Sequence, residues 1–212
     1  MVRFIVVRHG YSQGNKEKRF CGQLDIPLDE AGHRQAAATA QYIVSNFQVD
    51  RIYSSHLSRA FLTAKPVADA LGLEVIPLRQ LQEVDVGRWH NMLISDIIQE
   101  EPELFASYKA YPGLFRFPGG ESYEETMARA KQVFDEIAAQ NEGKTVVVAT
   151  HGGVIRALCT VWMRIPPDQL QKIPPIPNCS VTIVEYENGT ANFLQMGSTD
   201  HLSSKTEESG IQ

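Results

Sequence analysis

The chain has 212 residues, of which 43% are hydrophobic and 21% charged, and its formal net charge is −5 at pH 7. This length predicts one domain with a sizeable core, and the composition is that of an ordinary soluble protein. The negative charge and the lack of a long Lys/Arg run argue against nucleic acid as a partner.

The number and spacing of the cysteines and histidines argue against disulfides and metal sites. Cys21, Cys159 and Cys179 are widely spaced and form no CxxC pair, and the six histidines show no HExxH spacing. We therefore expect no disulfide scaffold, no metal and no cofactor, in a reducing, cytoplasmic location. The apolar start is interrupted by Arg8, and no later segment reaches spanning length, so we expect no membrane partner.

Short apolar runs alternate with helical stripes along the chain. Strands are predicted at residues 2–7, 50–55, 73–77 and 144–150, and helices at 29–47, 57–71, 122–140 and 154–163. The last two strands, within 179–187 and 190–196, are joined through Asn188 and Gly189, a strong hairpin signal. This order predicts an α/β fold: a three-layer α/β/α sandwich with a mostly parallel sheet and an antiparallel edge strand.

We expect a single domain over residues 1–199 and a polar tail over 200–212. A small insert at about 88–120 is helical and rich in aromatic residues: Trp89, Phe105, Tyr108, Tyr111, Phe115 and Phe117. Two interpretations stay open, a lid over the organic part of a substrate or the core of a small subdomain. Arg116 is the one side chain there that we expect to contact a second anionic group of a substrate. The insert between Arg88 and Arg116 is predicted to be aromatic and nearly uncharged.

Histidine and arginine residues follow several of the predicted strands. Arg8 and His9 end the first strand, His151 follows 144–150, and Arg59 lies in the first turn after 50–55. The carboxyl ends of parallel strands meet at one edge of a sheet, where ligands bind. Each residue alone would more often be structural, but together they predict one cationic site.

A phosphate group fits such a site. A guanidinium group can donate to two phosphate oxygens at once. The N-termini of the helices that follow Gly10 and Gly152 add backbone N–H donors. Neighbouring cations disfavour imidazolium formation and so keep His9 neutral. A neutral imidazole is a nucleophile whose attack on phosphorus gives phosphohistidine.

The segment RHGYSQGN, residues 8–15, resembles the signature of the histidine phosphatase superfamily, in its phosphoglycerate-mutase-like branch. The similarity continues through residues 21–36, 54–64, 81–89, 118–122 and 146–158. The resemblance implies a metal-independent phosphatase that hydrolyses small phosphomonoesters through phosphohistidine. The expected partner is a small phosphorylated metabolite, and the sequence leaves open whether the chain forms a homodimer.

The same resemblance assigns roles to residues of this chain. The implied catalytic residues are His9 as nucleophile, Arg8, Arg59 and His151 as holders of the phosphoryl group, and Glu83 as the acid. The implied substrate-binding residues are Ser12, Asn15, Cys21, Gly22 and Gly152. Spacing alone does not separate Glu83 from Asp85, since both lie on one face of an extended segment. The family pattern favours Glu83 and leaves Asp85 as a turn or cap residue.

Departures from the family pattern bear on the substrate. Tyr11 stands where an acid or amide is common, Cys21 where Gln is frequent, and His56 where Asp is frequent. The chain also lacks the longer basic insert with a KRYG-like element that is typical of the mutases. We therefore favour a phosphatase for a substrate with an apolar or aromatic portion. A phosphoglycerate mutase and a non-catalytic phospholigand-binding protein are the alternatives.

Overall fold

A computed structural model describes residues 1–202 and has one six-stranded sheet there. The strands are β1 (Val2–Arg8), β2 (Arg51–Ser55), β3 (Val75–Leu78), β4 (Thr145–Thr150), β5 (Val181–Glu187) and β6 (Thr190–Ser198). Their order is β3-β2-β4-β1-β5-β6. The first four are parallel, while β5 is antiparallel to β1 and β6 to β5. The predicted mostly parallel sheet is confirmed, with the antiparallel strand β5 one position inside the edge that β6 forms.

Helices cover both faces of this sheet. The α-helices of residues 1–202 are α1 (Gln13–Lys16), α2 (Glu30–Asn46), α3 (Ser58–Leu71), α4 (Ile94–Glu100), α5 (Pro102–Ala110), α6 (Tyr123–Gln140) and α7 (Gly152–Trp162). Side chains of a strand alternate between faces, so Phe4 and Val6 pack against α6 and α7, and Ile5 and Val7 against α2 and α3. The three-layer α/β/α sandwich is confirmed. No helix within residues 1–202 is long and apolar enough to cross a membrane.

Local chemistry sets the helix ends. The Asp29 side chain accepts from the Gly32 amide at the start of α2, and Ser122 with Glu125 forms a capping box on α6. Gly72 ends α3 with a left-handed φ of 65°. Pro66 lies inside α3, beyond its first turn.

The insert has a packed core of its own. Trp89 is fully buried and shares a cluster with Val84, Val86, Ile97, Phe115 and Phe117. The rings of Phe115 and Trp89 stack with centroids 5.5 Å apart. A subdomain core is therefore present, as one of the two interpretations expected.

The predicted polar tail begins with packed residues. The ring of His201 stacks on Tyr42 with centroids 4.9 Å apart, and its Nε2 lies 2.9 Å from Oγ1 of Thr39. Leu202 is buried beside α2. The rest of that tail, residues 203–212, lies outside the described residues.

Candidate active site

The sheet order brings the predicted cationic residues together. Strands β2, β4 and β1 are neighbours, so their carboxyl ends place Arg59, His151, Arg8 and His9 at one edge. The His9 amide donates to the carbonyl of Thr150 at 2.9 Å, which fixes the end of β1 beside the end of β4. All four side chains are buried, with exposed fractions of 1% for Arg59, 0% for His151, 5% for Arg8 and 4% for His9.

The ring of His9 has a defined tautomer. Its Nδ1 lies 2.7 Å from the carbonyl oxygen of Gly10. A carbonyl oxygen only accepts, so Nδ1 carries the proton and Nε2 keeps its lone pair. Burial, followed by the charges of Arg59 and Arg8, lowers the pKa of His9 well below 6.5. His9 is therefore a neutral imidazole with a free Nε2 lone pair near neutral pH.

His151 lies beside this ring, with centroids 5.2 Å apart. Within residues 1–202 neither nitrogen of His151 has a hydrogen-bond partner. Burial, then Arg59 and His9, lowers its pKa well below 6.5. Buried polar groups are normally paired, so an imidazole held with both nitrogens unpaired is suited to a ligand.

Backbone carbonyls hold the two arginines in place. Arg8 donates to the carbonyl of Ile176, and Arg59 donates to those of Leu24 at 2.6 Å and Gly22 at 2.7 Å. Burial lowers the pKa of Arg8 to about 10, which leaves it charged at neutral pH. These guanidinium groups make the buried strand edge an anion site.

The carboxylate of Glu83 lies at the start of α7. Its Oε1 accepts from the Val84 amide at 2.9 Å, and its Oε2 accepts from the Gly153 amide at 3.2 Å. Oδ1 of Asp85 instead accepts from the Gly87 amide at 2.9 Å. Glu83 lines the cavity described below and Asp85 does not, so Asp85 behaves as the turn residue that was expected.

Ser12 and Asn15 form the capping box of α1. The Asn15 Oδ1 accepts from the Ser12 amide at 3.1 Å, the Ser12 hydroxyl at 2.9 Å and Nδ2 of Asn178 at 3.3 Å. Its oxygen is thus engaged, and its Nδ2 is the end that a ligand can use. Ser12 lines the cavity, but its hydroxyl serves to orient Asn15.

Cys21, Gly22 and Gly152 complete the predicted substrate-binding set. The Cys21 thiol donates to the carbonyl of Arg19 at 3.6 Å, and burial raises its pKa, so it stays protonated. Gly22 has a left-handed φ of 48°, and a Cβ there would lie 2.5 Å from Nε2 of His90. Gly152 is the first residue of α7, beside the Arg8 guanidinium.

These residues surround a cavity of about 470 Å³. The predicted site residues line it except His151, whose ring lies next to that of the lining residue His9. Lining residues that the sequence analysis missed include Lys109, Tyr123, Arg156, Gln171 and Ile173. Within residues 1–202 no group of three or more His, Cys, Asp or Glu side chains is arranged to hold a metal ion.

The charge of the cavity wall corrects one expectation. Arg116 is exposed and donates to the Gly120 carbonyl and the Glu125 carboxylate. Lys109 of the insert lines the cavity instead, as does Arg156 of α7, so the prediction of a nearly uncharged insert was wrong. An arginine within the apolar helix segment VIRALC was the available signal for Arg156.

Some residues of the aromatic insert both pack in its core and line the cavity. Phe105, Tyr108 and Phe117 pack against Trp89 and also line the cavity, whereas Trp89 does not line it. Neither Tyr11 nor His56 lines the cavity. The Tyr11 amide donates to Gln35 and its carbonyl accepts from the Asp29 amide, so its backbone joins β1 to α2.

Buried imidazoles and guanidinium groups at the strand ends of an α/β sheet, facing a carboxylate, define an enzyme that acts on phosphate esters. Residues 4–199 match the family model of the histidine phosphatase superfamily (branch 1). The chain belongs to this superfamily, as the resemblance in its sequence implied.

Relatives agree with that assignment. Phosphoserine phosphatase 1 of Hydrogenobacter thermophilus is 34% identical over 95% of each chain. Phosphoglycerate mutase-like protein 4 of Arabidopsis thaliana is 33% identical over 98% of this chain and 88% of its own. The solved structure of an Entamoeba histolytica phosphoserine phosphatase variant in complex with phosphoserine matches with a TM-score of 0.82, at 28% identity over 96% of this chain and 100% of that one. The predicted class, a hydrolase of small phosphate esters, is confirmed.

Proposed function

We propose that this chain hydrolyses a small phosphomonoester that carries a carboxylate, through a phosphohistidine on His9. The observation that carries the proposal is the hydrogen bond from Nδ1 of His9 to the Gly10 carbonyl, which leaves Nε2 unprotonated in a site that holds the buried charges of Arg8 and Arg59. A nucleophile in this state needs no metal to activate it.

In the first step the phosphoryl group lies among Arg8, Arg59 and His151, with the Asn15 amide as a further donor. Nε2 of His9 attacks phosphorus, and the bond from phosphorus to the ester oxygen breaks. Glu83 gives its proton to that oxygen as it leaves. General acid catalysis of this kind contributes roughly 10²- to 10⁴-fold to the rate.

In the second step water attacks the phosphohistidine. The Glu83 carboxylate takes a proton from the water, the phosphorus–nitrogen bond breaks, and the electron pair returns to Nε2 of His9. Phosphate leaves and Glu83 is again protonated, so the cycle closes without another reactant.

Two further cations that line the cavity, Arg156 and Lys109, support a carboxylate on the substrate. Nη2 of Arg156 donates to the carbonyls of Leu170 at 3.3 Å and Ile173 at 3.1 Å, which fixes its guanidinium at the cavity. Lys109 adds a second cation there. A volume of about 470 Å³ suits a small metabolite. The relative solved with phosphoserine has a ligand of this class.

A mutase is the second candidate, because one relative is named mutase-like and because Lys109 and Arg156 also suit phosphoglycerate. It shares the first step and differs in whether water or a substrate hydroxyl receives the phosphoryl group.

Incubation with 3-phosphoglycerate and a trace of bisphosphoglycerate distinguishes hydrolysis from mutase activity. We expect free phosphate, also in EDTA; rapid 2-phosphoglycerate formation without free phosphate would overturn hydrolysis. A non-catalytic ligand-binding protein would release no phosphate from any ester.

A single domain over residues 1–199 and a cytoplasmic location remain part of the proposal. Their support is the shared core of the layers and the three free, buried cysteines. A homodimer stays a prediction that sedimentation equilibrium can test.

A further inference from the structure

Arg129, in α6, contacts the backbone of the segment that carries Glu83. Its Nη1 donates to the carbonyls of Gln80 at 2.7 Å and Gln82 at 2.9 Å, and its Nη2 lies 3.5 Å from the Glu83 carbonyl. Its Nε and Nη2 donate to the two carboxylate oxygens of Glu121 at 2.9 and 2.8 Å. The guanidinium group of Arg129 thus contacts three backbone carbonyls within residues 80–83, the segment that carries the acid.

Glu121 contacts the same segment from its other end. Its Oε2 accepts from the Asp85 amide at 2.9 Å, and its own amide donates to the Asp85 carbonyl at 2.9 Å. Arg129 and Glu121 are half-buried, with 17% and 21% of their side chains exposed, so solvent only partly screens the pair. We call the two side chains the Arg129–Glu121 clamp.

The clamp matters because residues 82–86 belong to no strand or helix. The Glu83 carboxylate is held in front by the amides of Val84 and Gly153. The backbone of this segment is held separately, by the clamp and by the Gln23 side chain, whose Nε2 lies 3.2 Å from the Glu83 carbonyl.

We infer that Arg129, together with Glu121, is a positioning residue that aims the Glu83 carboxyl at the leaving oxygen. The inference rests on the proposed function, in which Glu83 is the acid. Misplacing a catalytic group by about 1 Å can cost roughly 10²-fold in rate. Neither clamp residue is among those that line the cavity, so the clamp acts through Glu83.

Leaving-group dependence distinguishes positioning of the acid from general support of the fold. O-Phospho-L-serine releases a poor alkoxide that needs a proton, whereas p-nitrophenyl phosphate releases a stable phenolate that does not. The second-order constant kcat/KM reports the phosphorylation step, so a misplaced acid lowers it for the first substrate only.

The test compares Arg129→Lys and Glu121→Gln with Arg116→Lys, an exposed arginine that pairs with Glu125 outside the segment. Lysine keeps the charge but lacks the fork that joins Gln80, Gln82 and Glu121. We expect kcat/KM for phosphoserine to fall about 10²-fold in both clamp variants and that for p-nitrophenyl phosphate to change less than about threefold. Arg116→Lys should leave both constants unchanged.

Glu83→Gln is measured beside them. If it slows both substrates equally, the acid role of Glu83 and with it the proposed function fails. If it is selective but the clamp variants lose activity equally on both substrates, only the clamp inference is overturned. Loss of folding in both clamp variants, seen as loss of a cooperative thermal transition, would likewise make the clamp a structural element and overturn the inference.

Discussion

The side-chain Nδ2 of Asn178 donates to the carbonyl oxygen of His9 at 2.9 Å and so ties the turn before β5 to the end of β1. The same Nδ2 lies 3.2 Å from the Gly10 carbonyl and 3.3 Å from Oδ1 of Asn15. Asn178 is buried, and one amide therefore orients the nucleophile and a substrate-binding residue together.

Asn178→Ala should weaken both the fold and the catalytic step. Buried carbonyls that lose a donor cost about 1–3 kcal/mol, so the urea midpoint should fall by that free energy. Because His9 and Asn15 lose their common anchor, kcat/KM should fall at least tenfold. Urea titration and steady-state kinetics on one preparation measure both, and an unchanged kcat/KM would show that this amide does not orient the site.

Stability should depend on pH through the buried histidines. The pKa values of His9 and His151 lie well below 6.5 in the folded chain, so the unfolded chain binds more protons as the pH drops below 6.5. The free energy of unfolding is therefore fully retained above pH 6.5 and declines below it, by roughly 1.4 kcal/mol per pH unit for each ring. Urea titrations between pH 7.5 and 5.5 measure this slope.

His9→Gln should make that slope shallower by about one proton. His33→Gln, an exposed position outside the active-site cavity, is the control and should leave the slope unchanged. Equal slopes for the His9 variant and the unmodified chain would mean that His9 binds a proton as readily in the folded chain as in the unfolded chain, which would contradict a lowered pKa of His9.

Lys109 should matter only for substrates with a second anionic group. A charge-assisted hydrogen bond is worth about 1.5–3 kcal/mol, so Lys109→Met should raise KM for phosphoserine roughly 10- to 100-fold. KM for p-nitrophenyl phosphate, which has no carboxylate, should stay within about twofold. Lys131→Met, on an exposed face of α6, is the control. Equal changes for both substrates would remove Lys109 from the proposed carboxylate site.

The insert offers one residue that packs without lining the cavity and one that also lines it. Trp89 is fully buried within the aromatic cluster, so Trp89→Ala creates a cavity there and should lower the free energy of unfolding by about 3–5 kcal/mol. Phe105 is partly buried and lines the cavity, so Phe105→Ala should raise KM with a smaller loss of stability. The reverse order of effects would mean that Trp89 forms the wall and Phe105 the core.

Patterns within single segments predicted most of the fold. The apolar runs before Arg8 and before His151 predicted β1 and β4. The glycines that follow His9 and His151 indicated the start of a turn or helix. Boundaries were less accurate where the backbone departs from its pattern. Strand β5 begins at Val181, after Cys179, whose left-handed φ of 53° excludes it from the strand.

A very short helix and contacts between distant parts of the chain account for what the sequence analysis missed. Helix α1 has four residues, too few for an apolar period, and depends on the Ser12–Asn15 capping box. Lys109 of α5 and Arg156 of α7 line the same cavity although they lie far apart in the sequence. No local spacing encodes that proximity, so the sequence analysis assigned a site role to neither residue.

The central claim is that Nε2 of His9 carries the phosphoryl group. Rapid acid-free quenching during turnover of ³²P-labelled phosphoserine, followed by peptide mapping, tests it most directly. We expect an acid-labile, base-stable label on the peptide that contains His9, and no label in His9→Ala, which serves as the control. A full turnover rate with no label on His9, or a label of the same stability in His9→Ala, would contradict the account.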